Sequence, residues 1–315
     1  MRAIIVRAPG GPAALEVADV PLPIPGPGQV RIKVAAAAVN PVDAATRSGV
    51  LADAGLMPPI GEREHTGIGW DVAGTVDAVG GGVTGFAEGD QVIGVRDRLD
   101  VPVGTYAEAV VLDAASIARA PRSVPAVEAA TIPLNGLTAL QALDLLDLPA
   151  DGTLLVTGAA GAVGGYAVEL AARRGLRVVG AASAADEALV QKLGAELFVP
   201  RDAHLGDAVR ALVPGGADAA LDAALLGVRA LDAVRSGGTF AAVNGGPVTP
   251  LPLRGITVRN VWIRADGARL AQLSDLADAG RLTLRVAGTL SLDEAAKAHE
   301  RLAAGGLRGR LVLVP

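Results

Sequence analysis

The chain contains no cysteine. That excludes disulfides, thiolate nucleophiles and cysteine-ligated zinc. Aromatic residues make up only 2% of its 315 residues, too few for base-stacking platforms. The net charge is −5 and no basic cluster stands out, which argues against nucleic acid as the main partner. No uncharged apolar run approaches the roughly 20 residues of a membrane-spanning helix. The start, MRAIIVRAPGGP, has charges on both sides of a short apolar run and no cleavage-site pattern, so the chain reads as cytoplasmic.

What is present is a chain of 51% hydrophobic residues with 41 glycines and 20 prolines, long enough for about two domains. Up to about residue 120 the apolar runs are short: RAIIV, QVRIKVAAAAV, DVAGTVDAV, DQVIGV and YAEAVVL. Gly, Pro or Asp bounds each of them. This pattern predicts a barrel-like β domain. VPAVEAATIPLNGLTALQALDLL then has helical spacing. From Asp151 onward strands are predicted at 153–157, 176–181, 195–199, 217–221, 238–243 and 257–263. Helices are predicted near 161–174, 185–193, 202–213 and 225–235. Alternating strands and helices imply a parallel, doubly wound α/β sheet of six strands, the Rossmann arrangement. The tail after 265 gives helix, strand, helix, strand, and returns to the first domain. The expected domains are therefore 1–123 with 265–315, and 124–264.

VTGAAGAVGG, residues 156–165, joins the first of these strands to a helix. Small residues are needed here because the turn is tight, a pyrophosphate approaches the backbone, and the helix packs closely on the strand. Ala159, Gly161 and Gly164 have the A-x-G-x-x-G spacing, so Ala159, Ala160, Gly161, Ala162, Val163 and Gly164 are expected to bind the cofactor. The second strand ends in VVGAAS without an acid before Asp186. A missing carboxylate removes repulsion against a 2′-phosphate, which Ser183 and Arg201 can hold. NADP(H) is preferred on this ground, with NAD(H) open. Ser183 reads equally well as a helix N-cap.

Six motifs then point one way: NPVDAATRSG (40–49), GWDVAGTVDAVGGGVTGFAEGDQVIG (69–94), GTYAEAVV (104–111), AATIPLNGLTALQAL (129–143), VTGAAGAVGGYAVELAARRG (156–175) and LGAE (193–196). Together they resemble the medium-chain dehydrogenase/reductase superfamily, in its zinc-independent quinone oxidoreductase (zeta-crystallin-like) branch. The resemblance implies a GroES-like β-barrel-type domain beside the Rossmann domain. In zinc-dependent relatives a Gly-His-Glu triplet supplies an imidazole ligand; here it reads Gly69, Trp70, Asp71. The cysteine ligand position falls near Asn40–Asp43 and holds no thiol. No metal is expected, and Glu62, Glu64 and His65 read as a solvated loop. The implied reaction is NADPH-dependent reduction of a quinone or α,β-unsaturated carbonyl. Negative charge then develops on an oxygen, where a few donors can hold it.

Asn40 is the candidate positioning residue at the reacting centre and a candidate cofactor contact. Asp43 and Arg47, four apart, are read as a structural pair holding its loop. Thr138 resembles a family position near the nicotinamide. Asn244 follows the strand that ends in Val243, at the sheet's carboxyl end where ligands gather, and both are candidate cofactor contacts. Leu51 stands where family members often carry tyrosine. Tyr106 and Trp70 read as packing, and His204 and His299 as residues of helical surfaces. The strand Thr257–Arg264 is last in the sheet order, and the resemblance implies a homodimer joined there. Two alternatives stay open: an enoyl-thioester or tailoring reductase, and a catalytically silent NADP(H)-binding sensor or structural protein.

Overall fold

The computed structural model describes residues 1–243 and 249–315. They divide into two units, Met1–Leu134 with Arg264–Pro315, and Asn135–Ile263. The first unit begins with strands β1 (Arg2–Val6), β2 (Glu16–Asp19), β3 (Gln29–Ala38), β4 (Thr66–Gly67), β5 (Asp71–Val79), β6 (Gln91–Val95), β7 (Ala109–Asp113) and β8 (Ile117–Arg119). Helices α1 (Pro41–Ser48) and α2 (Val50–Asp53) lie between β3 and β4. After β8 come α3 (Ala126–Ala129) and α4 (Pro133–Leu146). The single helical stretch expected at 124–146 is thus two helices. Pro133 has no N–H to continue the ladder and instead opens the second one. The first of the two, α3, packs against β3 and β5 of the first unit, although its sequence reads as the start of the second domain.

The long strand β3 organises the first unit. Val30, Ile32, Val34 and Ala36 alternate toward the interior, and Ala36–Ala38 are buried on both faces. It pairs antiparallel with β5, with β7 and, at Ala37 and Ala38, with β16. The core around it gathers Ile4, Val6, Ile32, Val72, Tyr106 and Leu311. Tyr106 lies before β7 rather than opening it, because the chain there bonds to β1 instead: Ile4 N–H donates to Tyr106 O at 2.7 Å.

The second unit runs β9 (Thr153–Thr157), α5 (Ala162–Arg173), β10 (Arg177–Ala182), α6 (Glu187–Lys192), β11 (Leu197–Pro200), α7 (Leu205–Leu212), β12 (Ala217–Asp222), α8 (Val228–Asp232), β13 (Val234–Ala242) and β14 (Thr257–Asn260). Its six strands are parallel, in the order β11-β10-β9-β12-β13-β14. Strand β9, TLLVT, is buried throughout, as a central strand covered on both faces should be. The order reverses between β9 and β12, and ligands of such sheets bind at the carboxyl ends beside that point. The edge strand β14 is shorter than the expected 257–263. Its ladder stops at Asn260 because the partner β13 ends at Ala242. Asn244 lies outside the described residues.

The chain returns to the first unit as α9 (Gly267–Asp278), β15 (Val286–Ser291), α10 (Ala295–Ala304) and β16 (Arg310–Val314). Strand β16 carries β15 onto the sheet of β3, so the tail completes the first core rather than extending the six-stranded sheet. Among the described residues no helix is long and apolar enough to cross a membrane.

Candidate functional site: a phosphate cradle and a buried polar chain

In the second unit, the backbone turns sharply after Thr157. Gly158 adopts a φ of 61°, which a side chain would strain. Gly161 caps α5 with no side chain to bond its first turn. The N–H groups of Ala162, Val163 and Gly164 have no acceptor within the helix and form the positive end of its dipole. A Cβ at Gly164 would lie 2.1 Å from Gly158 O, so only glycine lets helix and turn approach this closely. The N–H of Ala159 is already donated to Ala181 O at 3.1 Å, and Ala159 and Ala160 are buried. These two residues shape the turn before the helix start.

The tips of β10 and β11 lie side by side, with Ala182 opposite Pro200. The next residues are Ser183 and Arg201. Ser183 does occupy an N-cap position, before a short 3-10 turn, but its hydroxyl caps nothing. Arg201 is exposed. The sequence missed Asp222, at the end of β12. This buried carboxylate accepts from Thr157 Oγ1 (2.6 Å), Leu226 N (3.1 Å) and Gly227 N (2.8 Å). It ties the residue before the glycine turn to the loop across the switch point. Val243 follows β13 at the same sheet edge, and Thr138 is a buried residue of α4.

In the first unit, Asn40 is the N-cap of α1, with Pro41 behind it. Its N–H donates to Asp43 Oδ2 at 2.7 Å, closing a capping box. Its Nδ2 donates to Asp71 Oδ2 at 2.7 Å and, at greater length, to Ala38 O at 3.4 Å. Asp71 Oδ1 accepts from Leu134 N in the first turn of α4, at 2.5 Å. On the other side Tyr106 OH donates to Asp43 Oδ2 at 2.9 Å. His299 Nε2 of α10 stands 3.5 Å from the same hydroxyl, its ring edge-on to the tyrosine. Asn40, Asp43, Asp71 and Tyr106 are 0% exposed and His299 is 1%.

Three expectations are corrected here. Asp43 and Arg47 do not pair: Asp43 bonds Asn40 and Tyr106, while Asp43 Oδ1 and Arg47 Nε and Nη1 have no partner among the described residues. His299 is a core residue, not a surface one. Tyr106 is a hydrogen-bonding member of the chain as well as packing. Asn40 is fully buried, with its side chain bonded to Asp71 and its N–H to Asp43. Leu51, at the position where relatives often have tyrosine, packs into the core.

Burial dominates the electrostatics. It pushes Asp43 and Asp71 up to about 7, against the hydrogen bonds from Asn40, Tyr106 and Leu134 that favour their charged forms. The Asp43 charge raises Asp71 further, and Arg310 lowers both. Burial, with the Arg47 charge, depresses His299 to about 4. The site does not fit a zinc ion. Trp70 is buried and its indole offers no lone pair to a metal. Among the described residues no group of three or more His, Cys, Asp or Glu is placed to hold a metal.

Comparison with known proteins fits this geometry. Residues 26–122 match the alcohol dehydrogenase GroES-like domain, and residues 193–313 match the family called zinc-binding dehydrogenase. A quinone oxidoreductase of Pseudomonas aeruginosa is 30% identical over 97% of this chain and 97% of its own. The chain belongs to the medium-chain dehydrogenase/reductase superfamily, in its quinone oxidoreductase group. The chloroplastic NADPH-dependent alkenal/one oxidoreductase of Arabidopsis thaliana is 30% identical, over 89% of this chain and 70% of that one. With the chloroplast envelope quinone oxidoreductase homolog of the same plant the identity is 37%, but only over 59% of this chain and 56% of the relative. Among solved structures, an NAD-dependent alcohol dehydrogenase superposes with a TM-score of 0.89 at 32% identity, covering 100% of both chains. A mycobacterial relative solved with NADPH gives 0.85 at 31%, again over 100% of both. The superfamily's oxidoreductase fold is therefore present along the whole chain.

Proposed function

We propose that the protein is an NADPH-dependent oxidoreductase that transfers hydride to a quinone or an α,β-unsaturated carbonyl without zinc. One observation carries the zinc-free reading. The cysteine ligand position of zinc-dependent relatives falls near Asn40–Asp43 and holds no thiol, and Asn40 Nδ2 is hydrogen-bonded directly to Asp71, at 2.7 Å. A conjugated acceptor suits such a site, because its negative charge spreads to an oxygen that neutral donors can hold.

NADPH, when bound, supplies the hydride. The residues assigned to hold it are Ala159 to Gly164 around its pyrophosphate, with Ser183 and Arg201 at its 2′-phosphate. Thr138, Val243 and Asn244 are assigned to its nicotinamide end. The uncapped Ser183 hydroxyl and the exposed Arg201 support NADPH over NADH. Asn40 is assigned a positioning role, through the loop that it caps.

We also propose a homodimer joined along β14. Among the described residues no strand pairs with its outer side, and Trp262 just beyond it is 51% exposed. Exposed apolar edges tend to be covered or paired.

The test is a fluorescence titration with NADPH and NADH, followed by turnover of cyclohexenone and a simple benzoquinone with and without a chelator. The expected result is NADPH binding at least tenfold tighter, and reduction that the chelator leaves unchanged. Absence of binding by either nucleotide, or activity lost to chelator and restored by zinc, defeats the reading.

A further inference from the structure

Asp71 is an expensive residue to bury. Removing a carboxylate from water costs several kcal/mol, and an apolar side chain of similar size would fill the space without that penalty. Among the described residues no lysine or arginine forms an ion pair with it; the Arg310 charge lowers its pKa. Its two oxygens reach two different elements. Oδ2 takes the amide of Asn40, at the loop before α1, and Oδ1 takes the N–H of Leu134, in the first turn of α4. Both partners are donors, so the position demands two acceptors. A carboxylate offers them, whereas an amide of the same shape offers one acceptor and one donor.

We propose that Asp71 is a positioning residue, whose carboxylate clamps the Asn40 loop to the first turn of the helix that carries Thr138. The helix start favours a negative charge at its N-terminus, which holds the clamp on that side. Asn40 completes it on the other. Its side chain grips Asp71 while its backbone N–H grips Asp43, so loop and α1 move with the carboxylate. The other groups whose hydrogen bonds or charges reach this pair are Asp43 of α1, Tyr106 and Arg310 of β16. None of them donates a hydrogen bond to an oxygen of Asp71. Thr138 lies one helical turn beyond Leu134 on the same helix. The proposal deepens the reductase reading above and rests on it for its catalytic consequence.

Asp71→Asn is the test variant. It keeps size and removes the charge, and it forces a donor against one of the two donors. Three readouts apply. Hydrogen exchange by mass spectrometry should quicken in peptides covering residues 38–44 and 132–138 and stay unchanged elsewhere. Thermal stability should fall, since one buried donor is left facing another. The kcat for the enone should fall about tenfold or more, as for a misplaced reacting group, while the NADPH Kd stays within about twofold. The reversed pair, Asn40→Asp with Asp71→Asn, restores complementarity. The amide oxygen then accepts from Leu134 and its NH2 donates to the carboxylate at position 40, so most of kcat should return. Unchanged exchange in both segments overturns the clamp. A kcat within about twofold of wild type overturns the positioning role. A wild-type protein that reduces neither enone nor quinone defeats the reductase reading instead, and the exchange comparison still decides the clamp.

Discussion

Gly164→Ala tests the phosphate cradle most directly. The added Cβ would lie 2.1 Å from Gly158 O and 2.7 Å from Gly158 C, both backbone atoms. An ordinary contact of about 3.4 Å requires helix and turn to separate by about 1.3 Å. Neither atom belongs to a side chain that can rotate away. Overpacking of this kind costs about 1–3 kcal/mol, or roughly 3–10 °C in Tm. The same shift moves the N–H groups of Ala162 to Gly164 off the phosphate. Each lost charge-assisted bond weakens binding by about tenfold. Gly161→Ala is the control. Its Cβ meets only Gly158 O at 3.1 Å, and the residue has an ordinary φ of −76°. A few tenths of an ångström suffice there, so Tm should stay within about 2 °C of wild type. The methyl group does, however, stand at the helix start where the phosphate approaches. The assay is a melting curve paired with an NADPH fluorescence titration. The expected pattern is loss of both stability and binding in Gly164→Ala, and loss of binding alone in Gly161→Ala. A Gly164→Ala protein with wild-type Tm and wild-type NADPH affinity would refute the close-approach argument.

Further measurements bear on the rest of the molecule. The folded protein holds His299 near 4, below its ordinary 6.5, so it binds fewer protons than the unfolded chain between those values, and this contribution to stability rises with pH across pH 4–6.5. His299→Phe should remove a rise of up to about 3 kcal/mol, seen in urea midpoints across the window. Asp43 has the opposite sign: its pKa is raised from 3.8 to about 7, so the folded state binds more protons and this contribution falls from pH 4 to 7. Asp43→Asn should flatten that fall, and curves parallel to wild type for both variants would contradict the assigned protonation states. Arg201→Ala should weaken NADPH by about fivefold and leave NADH unchanged, the worth of one exposed cation on a phosphate; equal weakening of both nucleotides would place Arg201 away from the 2′-phosphate. Trp262→Glu should yield monomers in light scattering, and an unchanged dimer mass would remove the β14 interface.

Much of this protein is written locally in its sequence. Alternating strands and helices announce a parallel sheet, because each strand must be buried on both faces and each crossover must return the chain in the same direction. The glycine fingerprint is legible for the same reason: Gly161 and Gly164 answer to contacts with Gly158 and Ala159, within one turn and one helix. Residue chemistry alone also excluded the zinc site, since an indole at position 70 cannot become a ligand in any fold.

The buried polar chain was not legible in this way. Asp43 and Tyr106 are separated by 63 positions, Tyr106 and His299 by 193, and Asn40 and Asp71 by 31. Nothing in a local window brings them together. In sequence His299 sits among Ala, Lys and Glu, as an exposed helical residue would. Only the packing of α10 against the sheet of β3 buries it. Asp43 and Arg47 have the spacing of a helical ion pair, yet the capping bond to Asn40 and the hydroxyl of Tyr106 take the carboxylate first. The one available signal for Asp71 was an acid standing where zinc-dependent relatives have the Glu of a Gly-His-Glu triplet. Short-range sterics and hydrophobic periodicity thus determined the sheet and its cradle. The partners and protonation of the buried carboxylates were decided by tertiary structure, because desolvation and hydrogen bonding depend on what the whole fold places around each group.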